Sequence, residues 1–247
     1  VDDYGALWID SDWQACMGTR GSLSITDISD FHNRLFPIHA KTELFTNRFL
    51  CLVEEMGVQL ERTALSVNVR ERLDFSCALL DGEARLVVNA PHIPVHLGAM
   101  GLCVRRILER IKSVKRGDIL VSNHPGFGGS HLPDITLVMP IWGKGDKPVA
   151  YLANRAHHAE IGGIVPGSMP ANAHSLEEEG VVIHPMHLFE EGESKFSEIE
   201  LLLSSATFPS RQVDINLADL HAQVASLRLG ADQLFSLIED YGDEEIS

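Results

Sequence analysis

Two apolar runs in the middle of this chain carry metal-binding residue types at their ends. His131 and Asp134 stand three apart just before the run Ile135 to Trp142. A second run opens at Tyr151 and leads through Asn154 and Arg155 into His157 and His158. The linker between them, GKGDK (143–147), is short and Gly-rich, which is the mark of a hairpin. A hairpin sets the start of its first strand beside the end of its second, so His131 and Asp134 should meet His157 or His158. Imidazole and carboxylate together suit a divalent Mn, Fe or Zn ion, and the donor set does not choose among these. Adjacent residues of a strand face opposite sides, so only one of His157 and His158 can join His131. The other is expected to support or pack, with Glu160 close enough to hydrogen-bond one of them.

An isolated HxxD pair usually does no more than decorate the start of a strand. This pair follows Gly126, Gly128 and Gly129, which let backbone approach a ligand closely, and Pro133 stiffens the segment between the two side chains. Upstream, Glu71 and Asp74 precede another apolar run, with Arg70 and Arg72 interleaved. They read equally as a surface ion-pair cluster, worth little, or as the carboxylate that completes a metal shell. His92 and His96 have the HxxxH spacing of helical zinc ligands, but Pro91 and Pro94 argue against a helix there. A rigid site-lining loop leading into a helix at Gly98 fits better, with His96 near an anion-attracting helix N-terminus. The loop GFGGS lacks the lysine of a phosphate-binding loop, and no GxSxG elbow occurs.

The whole chain must position these residues. Its 247 residues suffice for one large domain or two small ones, and 45% hydrophobic content is ordinary for a soluble globular protein. A net charge of -15, from 20 basic and 35 acidic residues, speaks against nucleic acid as a partner. No apolar run is long enough for a membrane span, and no secretory signal opens the chain, so a cytoplasmic protein is expected. Four widely spaced cysteines without a CxxC pair signal neither a zinc knuckle nor a disulfide framework.

The chain opens on short strands: ALWID (6–10), WQACM (13–17) and SLSI (22–25). From Lys41 apolar residues recur at three and four, predicting a helix over 41–64, with a domain boundary near residue 35. Hairpins are predicted at 75–90 and 134–154, and further helices over 98–112 and 214–240. GDILVSN and VVIHPMHLF read as strands, SEIELLLSSA as a short helix, and Gly230 should weaken the long last helix by roughly 1 kcal/mol. The expected fold is mixed α+β, with largely antiparallel sheets, β-hairpins and packed amphipathic helices.

With these residues in view, the chain resembles the hydantoinase B/5-oxoprolinase family. The stretches EEMGVQLERTALSVNVRERLDFSCALLD, NAPHIPVHLGAM, residues 123–169, EEEGVVI and FPSRQVDINLADLHAQVAS carry the resemblance over most of residues 50–230. It implies a fragment of a longer protein: residues 1–35 as the tail of a preceding A-type domain or a linker, and 36–247 as the N-terminal part of a B-type domain. The activity implied is ATP-dependent opening of a cyclic amide such as 5-oxoproline or a hydantoin, with Mg-ATP used by an A-type partner domain. A carboxylase of the acetone type, and a non-catalytic assembly role, are the alternatives. The implied metal ligands are His131, Asp134, His157 or His158, and Glu71, with Asp74 in reserve. His157, His158 and Glu160 are expected at the chemistry, and His92, His96, Asn123, Gly128, Gly129 and Arg155 around the substrate. Two departures stand out: His124 in the Asn-x-Pro segment, and Glu160 where the pattern HHADxGG has Asp. A half-domain should also expose apolar surface and self-associate as a homo-oligomer.

Overall fold

A computed structural model of the chain describes residues 13–17, 23–27, 38–90 and 97–246. The strand expected at 6–10, the boundary near residue 35, and both His92 and His96 lie outside the described residues. The chain divides into a unit over residues 1–43 and a second over 44–247. In the first, strand β1 (Trp13–Met17) pairs antiparallel with β2 (Leu23–Asp27), Trp13 opposite Asp27.

The second unit is built on an antiparallel sheet of seven strands. These are β3 (Phe75–Asp81), β4 (Leu86–Asn89), β5 (Ile119–Ser122), β6 (Asp134–Trp142), β7 (Pro148–His157), β8 (Met186–Glu190) and β9 (Glu193–Ser194), in the order β4-β3-β7-β6-β5-β8-β9. The predicted hairpins are present as β3–β4 and β6–β7, and β3 also pairs with β7. Helices α1 (Ile38–Thr63), α3 (Leu97–Ile111), α5 (Phe196–Ser205) and α6 (Val213–Tyr241) match the predicted ones within a few residues. Short helices α2 (Val67–Arg70), α4 (Leu176–Glu179) and α7 (Asp243–Ile246) were not foreseen. The fold is mixed α+β.

Both faces of the sheet are covered, which is why its central strands read as continuous apolar runs rather than alternating ones. On one face Phe75, Cys77, Leu79, Ile135, Leu137 and Leu152 pack with Leu52, Met56 and Leu60 of α1 and with Leu220, Leu227 and Leu234 of α6. On the other, Ala78, Leu80, Val138, Tyr151 and Ala153 pack with Met100, Cys103, Val104 and Ile107 of α3.

Two expectations are corrected. The strand predicted over VVIHPMHLF is confined to Met186–Glu190. Residues 181–183 bond instead to Asn123: its side-chain amide donates to Val181 O at 2.9 Å and its Oδ1 accepts from Ile183 N at 2.7 Å. The same amide donates to Leu132 O at 2.8 Å, and Asn123 is 1% exposed, so it clamps backbone and has no donor to offer a substrate.

Glu160 is likewise a structural tie and not a free acid. Its carboxylate accepts from Gly162 N at 2.9 Å, Ser210 Oγ at 2.9 Å, Arg211 N at 2.6 Å and Arg211 Nη1 at 2.7 Å. It thereby fastens the loop after β7 to the start of α6. Burial pushes its pKa up, but these four donors outweigh burial and hold it below its ordinary value of 4.5. A depressed carboxylate adds stability above its unfolded pKa, and that stability is lost as pH falls through the folded value. Glu160→Gln should therefore lower the urea midpoint at neutral pH. The gap to wild type should shrink as pH drops below about 4; a gap independent of pH would contradict this.

Gly230 is the second strong constraint. A Cβ there would lie 2.5 Å from Met56 Sδ and 3.1 Å from Leu152 Cδ1, so α6 reaches α1 and the sheet only through a glycine. The helix-propensity loss is accepted for close packing. Gly230→Val is expected to destabilise by about 1–3 kcal/mol through overpacking despite its better helix propensity; urea unfolding without a loss of stability would refute that account.

Candidate metal centre

Three segments converge at one end of β6–β7. The chain after β5 makes a 3-10 turn at Pro125–Phe127, passes Gly128 in a left-handed conformation (φ 87) and presents His131. A tight turn follows, with Asp134 N donating to His131 O at 3.0 Å and Ile135 N to Pro133 O at 3.1 Å. Strand register sets Asp134 directly opposite His157. The third segment arrives because His157 N donates to Asp74 O at 2.9 Å.

Three donor atoms form a closed triangle. His131 Nε2 lies 2.9 Å from Asp134 Oδ1 and 2.9 Å from His157 Nδ1, and His157 Nδ1 lies 3.1 Å from Asp134 Oδ1. Hydrogen bonding alone does not account for three such edges. Each ring nitrogen carries at most one proton. With both protonated, two N–H groups oppose each other along the histidine–histidine edge. With one protonated, the other nitrogen's lone pair faces the carboxylate oxygen. With Asp134 ionised, each of these states leaves one repulsive edge, which a cation at the centre would remove. Donors adjacent on an octahedron with bonds of about 2.1 Å stand about 3.0 Å apart. Tetrahedral donors at that bond length stand about 3.4 Å apart. The triangle is of the size that the donors of one divalent ion would span.

Among the described residues this is the one group of three or more His, Cys, Asp or Glu ligand atoms lying within 4.8 Å of one another. Asp134 is nearly buried (2% exposed) while the His131 side chain is 36% exposed, so the group is rooted in the sheet and open on one side. Hydrogen bonding to Asp134 raises the pKa of His131, against the opposing effect of burial. Asp74 Oδ2 stands 3.8 Å from His157 Nδ1, on the rim.

The other expected site residues sit elsewhere. Glu71 is exposed at the end of α2 and outside the group. Leu73 takes a left-handed backbone (φ 52), which turns the chain so that Asp74 reaches the histidines. His158 follows directly after β7 and turns toward α6, fully buried. Its Nε2 bonds Gln223 Oε1 at 3.1 Å and its Nδ1 bonds Asn216 Nδ2 at 3.3 Å. Both nitrogens are engaged, which ties α6 to the sheet, and burial holds the pKa of His158 below the ordinary value. Gly128 and Gly129 serve packing: a Cβ at Gly128 would meet Cys103 Cα at 2.8 Å, and one at Gly129 would meet Asn123 O at 2.7 Å. Arg155 is completely buried and bonds protein atoms rather than an open cleft.

Sequence reasoning missed the partners that hold these residues. Asn216, Asp219, Gln223 and Ser226 are buried polar residues on α6. Their spacing of three, four and three marks a polar stripe along an otherwise apolar helix face, and that signal was readable.

The comparisons with known proteins agree with this architecture. The family model described as hydantoinase B/oxoprolinase matches residues 39–247. The chain is 46% identical over 211 residues to 5-oxoprolinase 1 of Arabidopsis thaliana, covering 81% of this chain and 16% of that protein. The ATP-dependent caprolactamase from Pseudomonas jessenii superimposes with a TM-score of 0.76 at 26% identity, over 87% of this chain and 36% of that one. A nucleotide-free acetone carboxylase shares the fold with the same TM-score of 0.76 at 18% identity, over 86% of this chain and 28% of that one. The chain thus spans about a sixth of the oxoprolinase it matches. A match this extensive, over a fold of the same kind, makes the chain a member of the hydantoinase B/oxoprolinase family.

Proposed function

We propose that this chain supplies the metal-bearing part of the B-type module of an ATP-dependent cyclic-amide hydrolase. The observation that carries the reading is the triangle of His131, Asp134 and His157, with edges of 2.9, 2.9 and 3.1 Å. The names of the relatives, a 5-oxoprolinase and an ATP-dependent caprolactamase, support the substrate class, a small cyclic amide such as 5-oxoproline. ATP would be used by an A-type partner domain in the remainder of the longer protein. No helix among the described residues is long and apolar enough to cross a membrane, and a cytoplasmic setting, where ATP is held, fits the reaction.

His131, Asp134 and His157 would hold the ion, and Asp74 takes the fourth place that sequence reasoning gave to Glu71. Such an imidazole and carboxylate set would suit Mn, Fe or Zn. Such an ion supplies Lewis acidity toward an oxygen of the activated amide. The chain's own contribution is to keep the donors fixed. Asp134 is held in the sheet opposite His157, and Asp74 is tied to the His157 backbone. His131, the most exposed of the three, faces the open side, where a substrate would enter. His158 and Glu160 act by fastening α6 and the following loop. The carboxylase reading rests on fold likeness alone and is the weaker of the two.

In the full-length protein, Asp134→Ala should abolish stoichiometric metal on elemental analysis. It should also cut ATP-dependent release of glutamate from 5-oxoproline by more than about 100-fold. Normal metal content with normal turnover would sink the proposal, and carboxylation of a ketone in place of lactam opening would favour the other enzyme class. A second pair tests the fourth position: Asp74→Ala should weaken metal binding by about 10-fold or more, whereas Glu71→Ala should leave it unchanged. The reverse order would return the role to Glu71.

A further inference from the structure

We propose that Arg155 is the positioning residue of the candidate metal centre, a role that rests on the metal reading above and goes beyond it. Arg155 is fully buried, and its side chain is spent on protein oxygens. Taking a guanidinium out of water is costly unless its donors are matched, so the groups that match them show what it holds in place. Its fork is divided among three oxygens. Nε donates to Thr136 Oγ1 at 2.8 Å, Nη1 to Ser130 Oγ at 3.2 Å and Nη2 to Gly128 O at 3.0 Å.

Each of these oxygens belongs to the support of one ligand. Ser130 and Gly128 form the loop that ends in His131. Thr136 stands two residues after Asp134, and Arg155 itself stands two residues before His157, opposite Thr136 in the strand register. Residues two apart on a strand share a face, so the guanidinium lies on the same face as Asp134 and His157. One rigid fork thus joins the Gly-rich loop to both strands, and the distance from His131 to the other two ligands is set through it. A lysine could reach one of the three oxygens but not the planar set.

The test measures Co(II) and Mn(II) affinity, the visible spectrum of bound Co(II), and the melting temperature of metal-free full-length protein. Arg155→Lys should weaken metal binding by about 10- to 100-fold and alter the Co(II) spectrum. Leu152→Ala, a core variant, should lose comparable thermal stability yet keep wild-type affinity and spectrum. In Arg155→Gly, millimolar guanidinium should restore affinity and spectrum, and equal sodium should not. If Arg155→Lys does not fold, the Ser130→Ala/Thr136→Val double variant, which removes two acceptors and keeps the charge, should weaken metal binding in the same direction. Unchanged affinity and spectrum in the variants that fold, or an affinity loss that merely follows melting temperature across all of them including Leu152→Ala, would overturn the proposal. Failure of the wild type itself to bind either ion would instead refute the metal reading, and the two failures are distinguished by the protein in which they occur.

Discussion

The pairing of Asp134 with His157 across the β6–β7 hairpin is the contact on which the rest depends. Side chains of a strand alternate with period two, so the register decides at once which histidine faces Asp134 and which faces α6. A slip of one residue would exchange His157 for His158. The first would then sit among apolar side chains under α6, and the second would lose both of its hydrogen-bond partners. Each error leaves buried polar atoms unpaired, at about 1–3 kcal/mol apiece, so the register is defended from both faces of the sheet.

The defence on the α6 side is a connected polar network inside an apolar interface. Gln223 accepts from His158 and donates through its amide to Ile135 O at 3.0 Å and Asn154 Oδ1 at 3.1 Å, while Asn154 donates back to Gln223 O at 2.8 Å. Ser226 donates to Met56 O at 2.8 Å, and Asp219 accepts from the Leu65 and Ser66 amides. Because each group has a defined partner, the helix cannot slide along the sheet without breaking several bonds together. Shape and polarity then act jointly, since the notch at Gly230 admits only one depth of approach. Two atoms of this contact escape the matching among the described residues: Ser66 Oγ and Asp219 Oδ2 are buried without a partner.

Much of this was legible in the sequence. Period and turn residues revealed the hairpins and the long helices, because those signals are local. The convergence of His131, Asp134 and one of the two histidines followed from hairpin logic and the two-residue period. What the sequence could not give was the use made of each polar group. Glu160, Asn123 and His158 have the chemistry of site residues, yet their partners lie far along the chain, at Arg211, at 181–183 and on α6. Only the fold brings those partners in. Leu73, between Glu71 and Asp74, takes a left-handed conformation that no propensity for leucine would predict, and just beyond it Asp74 Oδ2 stands 3.8 Å from His157 Nδ1.

Asn123 shows how a side chain can stand in for a missing strand. Its amide presents one acceptor and two donors to backbone groups of residues 132, 181 and 183, much as a peptide unit would. The path of 181–185 is thereby held beside β5 without a regular ladder. A ladder needs an N–H at alternate positions, and Pro185 has none. Anchoring by Asn123, helped by Ser122 Oγ donating to Ile183 O at 3.0 Å, relaxes that demand, so the segment tolerates a proline. Sequence drift in 181–185 is thus limited from two sides, by the asparagine that anchors its backbone and by Val181 and Ile183, whose side chains are buried in the core.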